Sequence, residues 1–157
     1  MSDVVNFFAY NELMNEDHFR EQGLEFRARS SVTLSAYRLV FNKIPRDNGG
    51  LEGLGLANIE PTPSNAGMMY GVLYEIDDSY LPRLDELFGY PKEYVRKVVE
   101  ITRHDFNLAK AITYIARPEK TEKGLKPSKS MLKIFKGAKK NLNMLYFSKI
   151  MTTKTAD

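Results

Sequence analysis

The apolar positions of this chain change period along its length, and each change marks an element. Val4, Val5, Phe7, Phe8 and Tyr10 make a short dense run of β-formers, which predicts a buried strand over 4–10. The polar stretch 15–22 predicts a short helix. Residues 31–41 predict one long strand, in which Val32, Leu34 and Ala36 alternate and Tyr37, Leu39 and Phe41 carry the second half. Arg46-Asp47-Asn48-Gly49-Gly50 reads as a loop, rich in residues that tolerate positive φ. A short strand over 56–59 stops at Pro61-Thr62-Pro63, and 68–76 predicts a further apolar strand.

The period then becomes helical. Leu81, Leu84, Leu87 and Phe88 share one face, with Asp78 or Ser79 as the expected N-cap and Pro82 in the first turn. Gly89 and Pro91 stop this helix. Residues 95–102 and 109–116 read as strands joined by a turn at His104-Asp105-Phe106-Asn107. After a charged loop over 118–126, Ser128 is the expected cap of a last helix. Its apolar stripe is Met131, Phe135, Ala138, Leu142 and Leu145, and Lys129, Lys133, Lys136 and Lys140 lie on another face. About six strands with two or three helices predict an α+β domain: a small curled sheet or barrel with helices packed outside. The domain is expected over 1–148, with a frayed tail over 149–157.

Composition narrows the chemistry. At 157 residues and 43% hydrophobic, the chain suits one domain with a real core. No stretch approaches the roughly 18–20 apolar residues of a membrane span. The first residues lack the basic region of a signal peptide, so a cytoplasmic location is expected. There is no cysteine, which removes disulfides, thiolate nucleophiles and zinc–sulfur sites. His18 and His104 lack the spacing of a metal site, so no metal is expected. The glycines at 49, 50, 53 and 55 are not followed by Gly-Lys-Ser/Thr and do not form a phosphate loop.

The net charge of +3 is unevenly spread. The segment from Arg117 onward holds 11 Lys/Arg against 3 Asp/Glu, and the rest of the chain is net acidic. A solvated helix face is the simpler account of the lysine stripe. Nucleic acid or another acidic partner is the other, and it is disfavoured because no aromatics interleave with these lysines.

Four segments carry candidate chemistry: Phe8-Ala9-Tyr10-Asn11-Glu12-Leu13-Met14; Gly55-Leu56-Ala57-Asn58-Ile59-Glu60-Pro61; Gly71-Val72-Leu73-Tyr74-Glu75-Ile76 with Leu84-Asp85-Glu86-Leu87-Phe88-Gly89-Tyr90-Pro91, Tyr94 and Arg96; and Pro127-Ser128 with Gly137-Ala138-Lys139. In this order and spacing they resemble the gamma-glutamylcyclotransferase-like, or AIG2-like, family from about Phe7 to Phe147. The resemblance implies a small mixed β-barrel with flanking helices, and no metal or organic cofactor. Active members cyclise a γ-glutamyl amine: the α-amino group attacks its own γ-carbonyl, releasing 5-oxoproline and an amine.

That reaction needs a carboxylate to move the proton, worth roughly 10²–10⁴-fold as general acid/base catalysis. It also needs a turn of backbone N–H groups to hold the substrate's α-carboxylate. The family's turn usually reads Tyr-Gly-Ser-Asn or Tyr-Gly-Thr-Leu, and its acid is a glutamate just before the glycine that ends the Leu-Asp helix. Here that position is Phe88, which transfers no proton. Tyr10 is kept, but Asn11 and Glu12 replace the family's Gly and Ser/Thr, and Met131 stands where relatives often have a pocket tyrosine. Glu86 lies about 200° around the helix from Phe88 and points away. Glu12 and Asp85 are the substitute acids to consider. Asp85 belongs to the usual Leu-Asp pair, and a Glu12 carboxylate would repel the substrate's α-carboxylate and favour an amine-bearing ligand. The resemblance therefore implies a small-molecule pocket at Tyr10, Asn11, Glu12, Leu13, Phe88, Tyr94 and Met131. The expected function is binding of a γ-glutamyl- or amine-type ligand with weak or absent turnover. A working cyclotransferase using Glu12 or Asp85, and a non-catalytic interaction protein using the basic helix, are the alternatives.

Overall fold

The computed structural model describes residues 3–47 and 50–157, so Asn48 and Gly49 of the expected loop lie outside the described residues. Its strands are β1 (Val4–Ala9), β2 (Ala28–Ser35), β3 (Tyr37–Lys43), β4 (Leu56–Pro61), β5 (Met68–Asp77), β6 (Tyr94–Arg103) and β7 (Leu108–Ala116). Its α-helices are α1 (Glu16–Glu21), α2 (Leu81–Phe88), α3 (Lys129–Phe135) and α4 (Met144–Met151).

Five strands close into a barrel in the order β1-β5-β2-β6-β7, and β3 and β4 pair as a second, two-stranded sheet. The barrel is mixed. β1 and β7 run parallel through Phe7 and Ile112, and the other pairings are antiparallel. The seam between β1 and β7 is reinforced by side chains: Thr113 Oγ1 donates to Phe8 O (2.9 Å), and Tyr10 Oη donates to Tyr114 O (2.6 Å). Asn58 of β4 joins the small sheet to the barrel. Its amide donates to Asn42 Oδ1 (3.0 Å), and its carbonyl accepts from the Ala116 N–H (2.8 Å).

The expected long strand over 31–41 is two strands. Ala36 between them adopts φ 65°, donates its N–H to Gly67 O and accepts from Thr62 N–H, so the chain leaves the barrel there for the second sheet. This break raises the number of described strands from the expected six to seven.

Helix α2 ends as expected, on Gly89 in the left-handed region at φ 64°, with its N–H returned to the last turn. Its start differs. Asp78 and Ser79 make no side-chain cap; a 3₁₀ turn over Asp78–Tyr80 feeds directly into the helix, with Pro82 in its first turn. Ser128 does cap α3, accepting from the Met131 N–H at 3.1 Å.

The expected continuous last helix is interrupted. α3 ends at Phe135, a 3₁₀ segment covers Lys136–Asn141, and α4 restarts after Asn143, whose side chain accepts from the Leu145 and Tyr146 N–H groups. The stripe therefore holds for Met131, Phe135, Ala138 and Leu142, which are buried, and fails at Leu145, which is 81% exposed. The tail expected to fray from Lys149 completes α4 and then packs back. Ala156 N–H donates to Pro127 O (2.9 Å), and the Asp157 carboxylate accepts from Lys129 N–H (2.9 Å).

Candidate active site

A cleft of about 300 Å³ opens where the turn after β1, the helix α1, the start of β4 and the end of α2 meet. Asn11, Glu12 and Leu13 supply one wall, with His18 and Gln22 from α1 and just after it. Leu56, Ala57, Leu87, Phe88 and Tyr94 supply the other, largely apolar wall. Five residues expected at the pocket are therefore brought together: Asn11, Glu12, Leu13, Phe88 and Tyr94. Tyr10 and Met131 are buried but do not line the cleft.

The turn is self-contained. Asn11 Oδ1 accepts from the Leu13 N–H (3.0 Å), and Asn11 O accepts from the Met14 N–H (2.9 Å). Glu12 O accepts from the Asn15 N–H (3.0 Å). Asn11 is in extended backbone at φ −109°, so this turn does not require the glycine usual in the family. Asn15 then caps α1, accepting from the His18 N–H (3.1 Å), and donates to Ile134 O (2.9 Å), which fixes the turn against α3.

Phe88 is 4% exposed. Its ring stacks on Tyr114 and meets Tyr94 edge-on, with centroids 5.1 Å apart. Phe7 of β1 closes the same cluster at 6.3 Å. Tyr94 is held in turn by its hydroxyl, which donates to Ala57 O (2.7 Å). Burial pushes the Tyr94 hydroxyl far above its ordinary pKa, with the Glu12 charge adding to the shift. Burial likewise raises Tyr10, with contributions from Tyr94 and Glu12. Both phenols are neutral hydrogen-bonding groups at neutral pH.

The two candidate substitute acids stand in different surroundings. Asp85 does not line the cleft. It accepts a two-pronged bond from Arg96, with Nε at 2.9 Å, and a hydrogen bond from the Tyr114 hydroxyl at 2.6 Å. Glu12 lines the cleft and has no ion-pair partner among the described residues. Burial raises its carboxyl above the ordinary carboxylate value, opposed by its own N–H. Burial also lowers His18, opposed by Glu21, so that imidazole is neutral at pH 7.

Sequence reasoning assigned no site role to His18, Gln22, Leu56, Ala57 or Leu87. The signals were present: residues 18 and 22 are one helical turn apart, and Leu56-Ala57 belongs to a quoted segment. Among the described residues no group of His, Cys, Asp and Glu suits a metal ion, and no helix is long and apolar enough to cross a membrane. The lysine stripe lies elsewhere. Lys129, Lys133 and Lys136 border a separate shallow groove with Thr153 and Thr155.

Barrel, appended sheet and cleft together define a small α+β protein with a ligand-sized pocket at one end of the barrel. Over residues 7–132 the chain matches the family model for gamma-glutamyl cyclotransferase, AIG2-like, and it belongs to that family. A structure titled "Gamma-glutamyl cyclotransferase" superposes with a TM-score of 0.82 at 21% identity, covering 98% of this chain and 89% of the other. An uncharacterized protein from Homo sapiens gives 0.80 at 24% identity, covering 97% and 89%. YkqA from Bacillus subtilis gives 0.79 at 21% identity, covering 98% of this chain and 56% of that one. At these identities the likeness to solved structures is one of fold. Among curated proteins, no sequence match was found.

Proposed function

We propose that the protein binds a small γ-glutamyl- or amine-type ligand in this cleft, with weak or no cyclotransferase turnover. One observation carries the reading. The position where the resemblance calls for a glutamate is held by Phe88, whose ring is fixed between Tyr114, Tyr94 and Phe7 at the wall of an open cleft. The pocket is kept, but its expected acid is replaced by a packed aromatic. Asp85, tied to Arg96 and Tyr114 and outside the cleft, supplies no free base.

The test is to incubate the purified protein with γ-glutamyl amino acids and γ-glutamyl amines and measure 5-oxoproline. Little or none is expected; turnover at rates typical of enzymes overturns the reading. Glu12 supports a second reading, an active cyclotransferase with a displaced acid, because this residue lines the cleft and burial raises its carboxyl above the ordinary carboxylate value. In that case Glu12→Gln abolishes 5-oxoproline formation and Asp85→Asn spares the chemistry.

A further inference from the structure

Resting on that ligand-binding reading, we infer that the cleft selects an organic ammonium without an adjacent carboxylate, with Glu12 as the counter-charge. Two features of the turn lead there. The first is the small number of backbone donors left free for an anion. The N–H groups of Leu13, Met14 and Asn15 donate, in order, to Asn11 Oδ1, Asn11 O and Glu12 O. With these three N–H groups engaged within the turn, few donors are left for a carboxylate ligand. No lysine or arginine lines the cleft to replace them.

The second is the carboxylate itself. Glu12 is the one acidic residue on the lining, and no cation among the described residues pairs with it. Glu12 is half-buried; a charged group partly withdrawn from water without a partner is costly, and an arriving ammonium offsets that cost by a charge-assisted hydrogen bond. The Phe88 and Tyr94 rings and Leu56, Ala57 and Leu87 provide an apolar wall for the carbon chain attached to it, and aromatic rings favour a desolvated cation. The neutral His18 adds no positive charge to oppose it.

The charge on Glu12 makes binding pH-dependent. The groups that bear on this region are His18 from α1, Tyr10 from β1, Tyr94 from β6, and Arg46 and Glu93, which act on Tyr94. The two phenols stay neutral. Burial raises the Glu12 carboxyl, so it is uncharged at low pH and the ammonium binds poorly there. Affinity rises as pH climbs through that raised value and then levels off. His18 contributes equally in wild type and in a Glu12 variant, so the difference between them isolates Glu12.

The probes are n-butylammonium, butyramide and butyrate, which share shape and differ in charge, titrated into the intact protein and followed by NMR shifts of the Leu13, Gln22 and Leu87 amides. Expected is that n-butylammonium binds at least about tenfold more tightly than butyramide, as for a hydrogen bond between charged groups, with butyrate weakest. Glu12→Gln, which keeps the shape, should reduce n-butylammonium to the level of butyramide and leave only the part of the pH dependence that His18 contributes. Equal or tighter binding of butyrate, unchanged preference in Glu12→Gln, or no binding of n-butylammonium to the folded protein overturns the assignment. The 5-oxoproline assay is read separately. Turnover with the ammonium preference intact overturns the weak-turnover reading alone, and a preference for butyrate without turnover overturns the ammonium assignment alone.

Discussion

The ring of Phe88 lies flat against that of Tyr114, with centroids 4.3 Å apart and planes 8° from parallel. The same Tyr114 gives its hydroxyl proton to Asp85. One barrel residue thus fixes both the aromatic at the cleft and the aspartate behind it. Removing the ring in Phe88→Ala should destabilise the fold by about 3–5 kcal/mol, the usual cost of truncating a buried phenylalanine, measured by urea unfolding. Phe88→Glu places a carboxylate against these rings, and if the family's chemistry lacks only its acid, 5-oxoproline should appear. A silent but folded Phe88→Glu protein points to the turn after β1, where the Leu13, Met14 and Asn15 N–H groups are already engaged, as the second obstacle.

Asp85 is predicted to be a structural acid. Asp85→Asn weakens the Arg96 and Tyr114 interactions and should cost roughly 1.5–3 kcal/mol, the range for hydrogen bonds to charged groups. Its ligand affinity, measured on the folded fraction, should stay close to that of wild type, because Asp85 does not line the cleft and Phe88 keeps its contacts with Tyr94 and Phe7.

Lys43 is 1% exposed and donates to the Glu93 carboxylate at 2.8 Å, with Lys120 approaching the same group at 3.5 Å. Glu93→Ala leaves a buried ammonium unpaired and should destabilise by about 3–5 kcal/mol. The Lys43 hydrogen bond, together with both lysine charges, holds the Glu93 carboxyl below its ordinary value against the opposing effect of burial. A folded-state pKa below the unfolded one, near 4.3, contributes stability that is present above that pH and lost as pH falls through the depressed value. Wild type should therefore lose part of its stability below about pH 4, and Glu93→Gln should show a smaller loss over the same range, as followed by thermal unfolding.

Gly137 is fixed by Asn15. A Cβ at 137 would lie 2.0 Å from Asn15 Nδ2, the atom that donates to Ile134 O. Gly137→Ala must push Asn15 out of its double role as cap of α1 and tie to α3. The expected cost is about 1–3 kcal/mol, together with weaker ligand binding, since the same displacement moves the turn that carries Glu12. Normal binding at wild-type stability would show that the 3₁₀ segment after α3 accommodates the methyl group.

The barrel strands were legible because their apolar runs are short, dense and bounded by glycine, proline or a change of period. Phe88 and the 11–13 turn were legible because they fall inside collinear segments. The break at Ala36 was written as a change of phase between Leu34 and Tyr37, but a run of β-formers on both sides masks a single residue at positive φ. Leu145 misled because Leu142 and Leu145 keep helical spacing across a junction that Asn143 re-caps. His18 and Gln22 were missed because nothing local distinguishes a helix face that borders a cleft from one that borders solvent. It is tertiary packing, such as that of Phe19 on Tyr74 with ring centroids 3.8 Å apart, that sets which way α1 faces.

The seam between β1 and β7 joins groups 104 and 105 positions apart in the chain. The Glu12 turn follows one side of it, and Phe88 rests on Tyr114 at the other. A chain that has not yet brought these ends together has no cleft, because closing so long a loop must precede the contacts that reward it. Ligand would then act as a clock on unfolding: binding only the closed barrel, it lengthens the lifetime of the native state by a factor of one plus the ratio of free ligand concentration to Kd, and resistance to proteolysis becomes a measure of whether the pocket is filled.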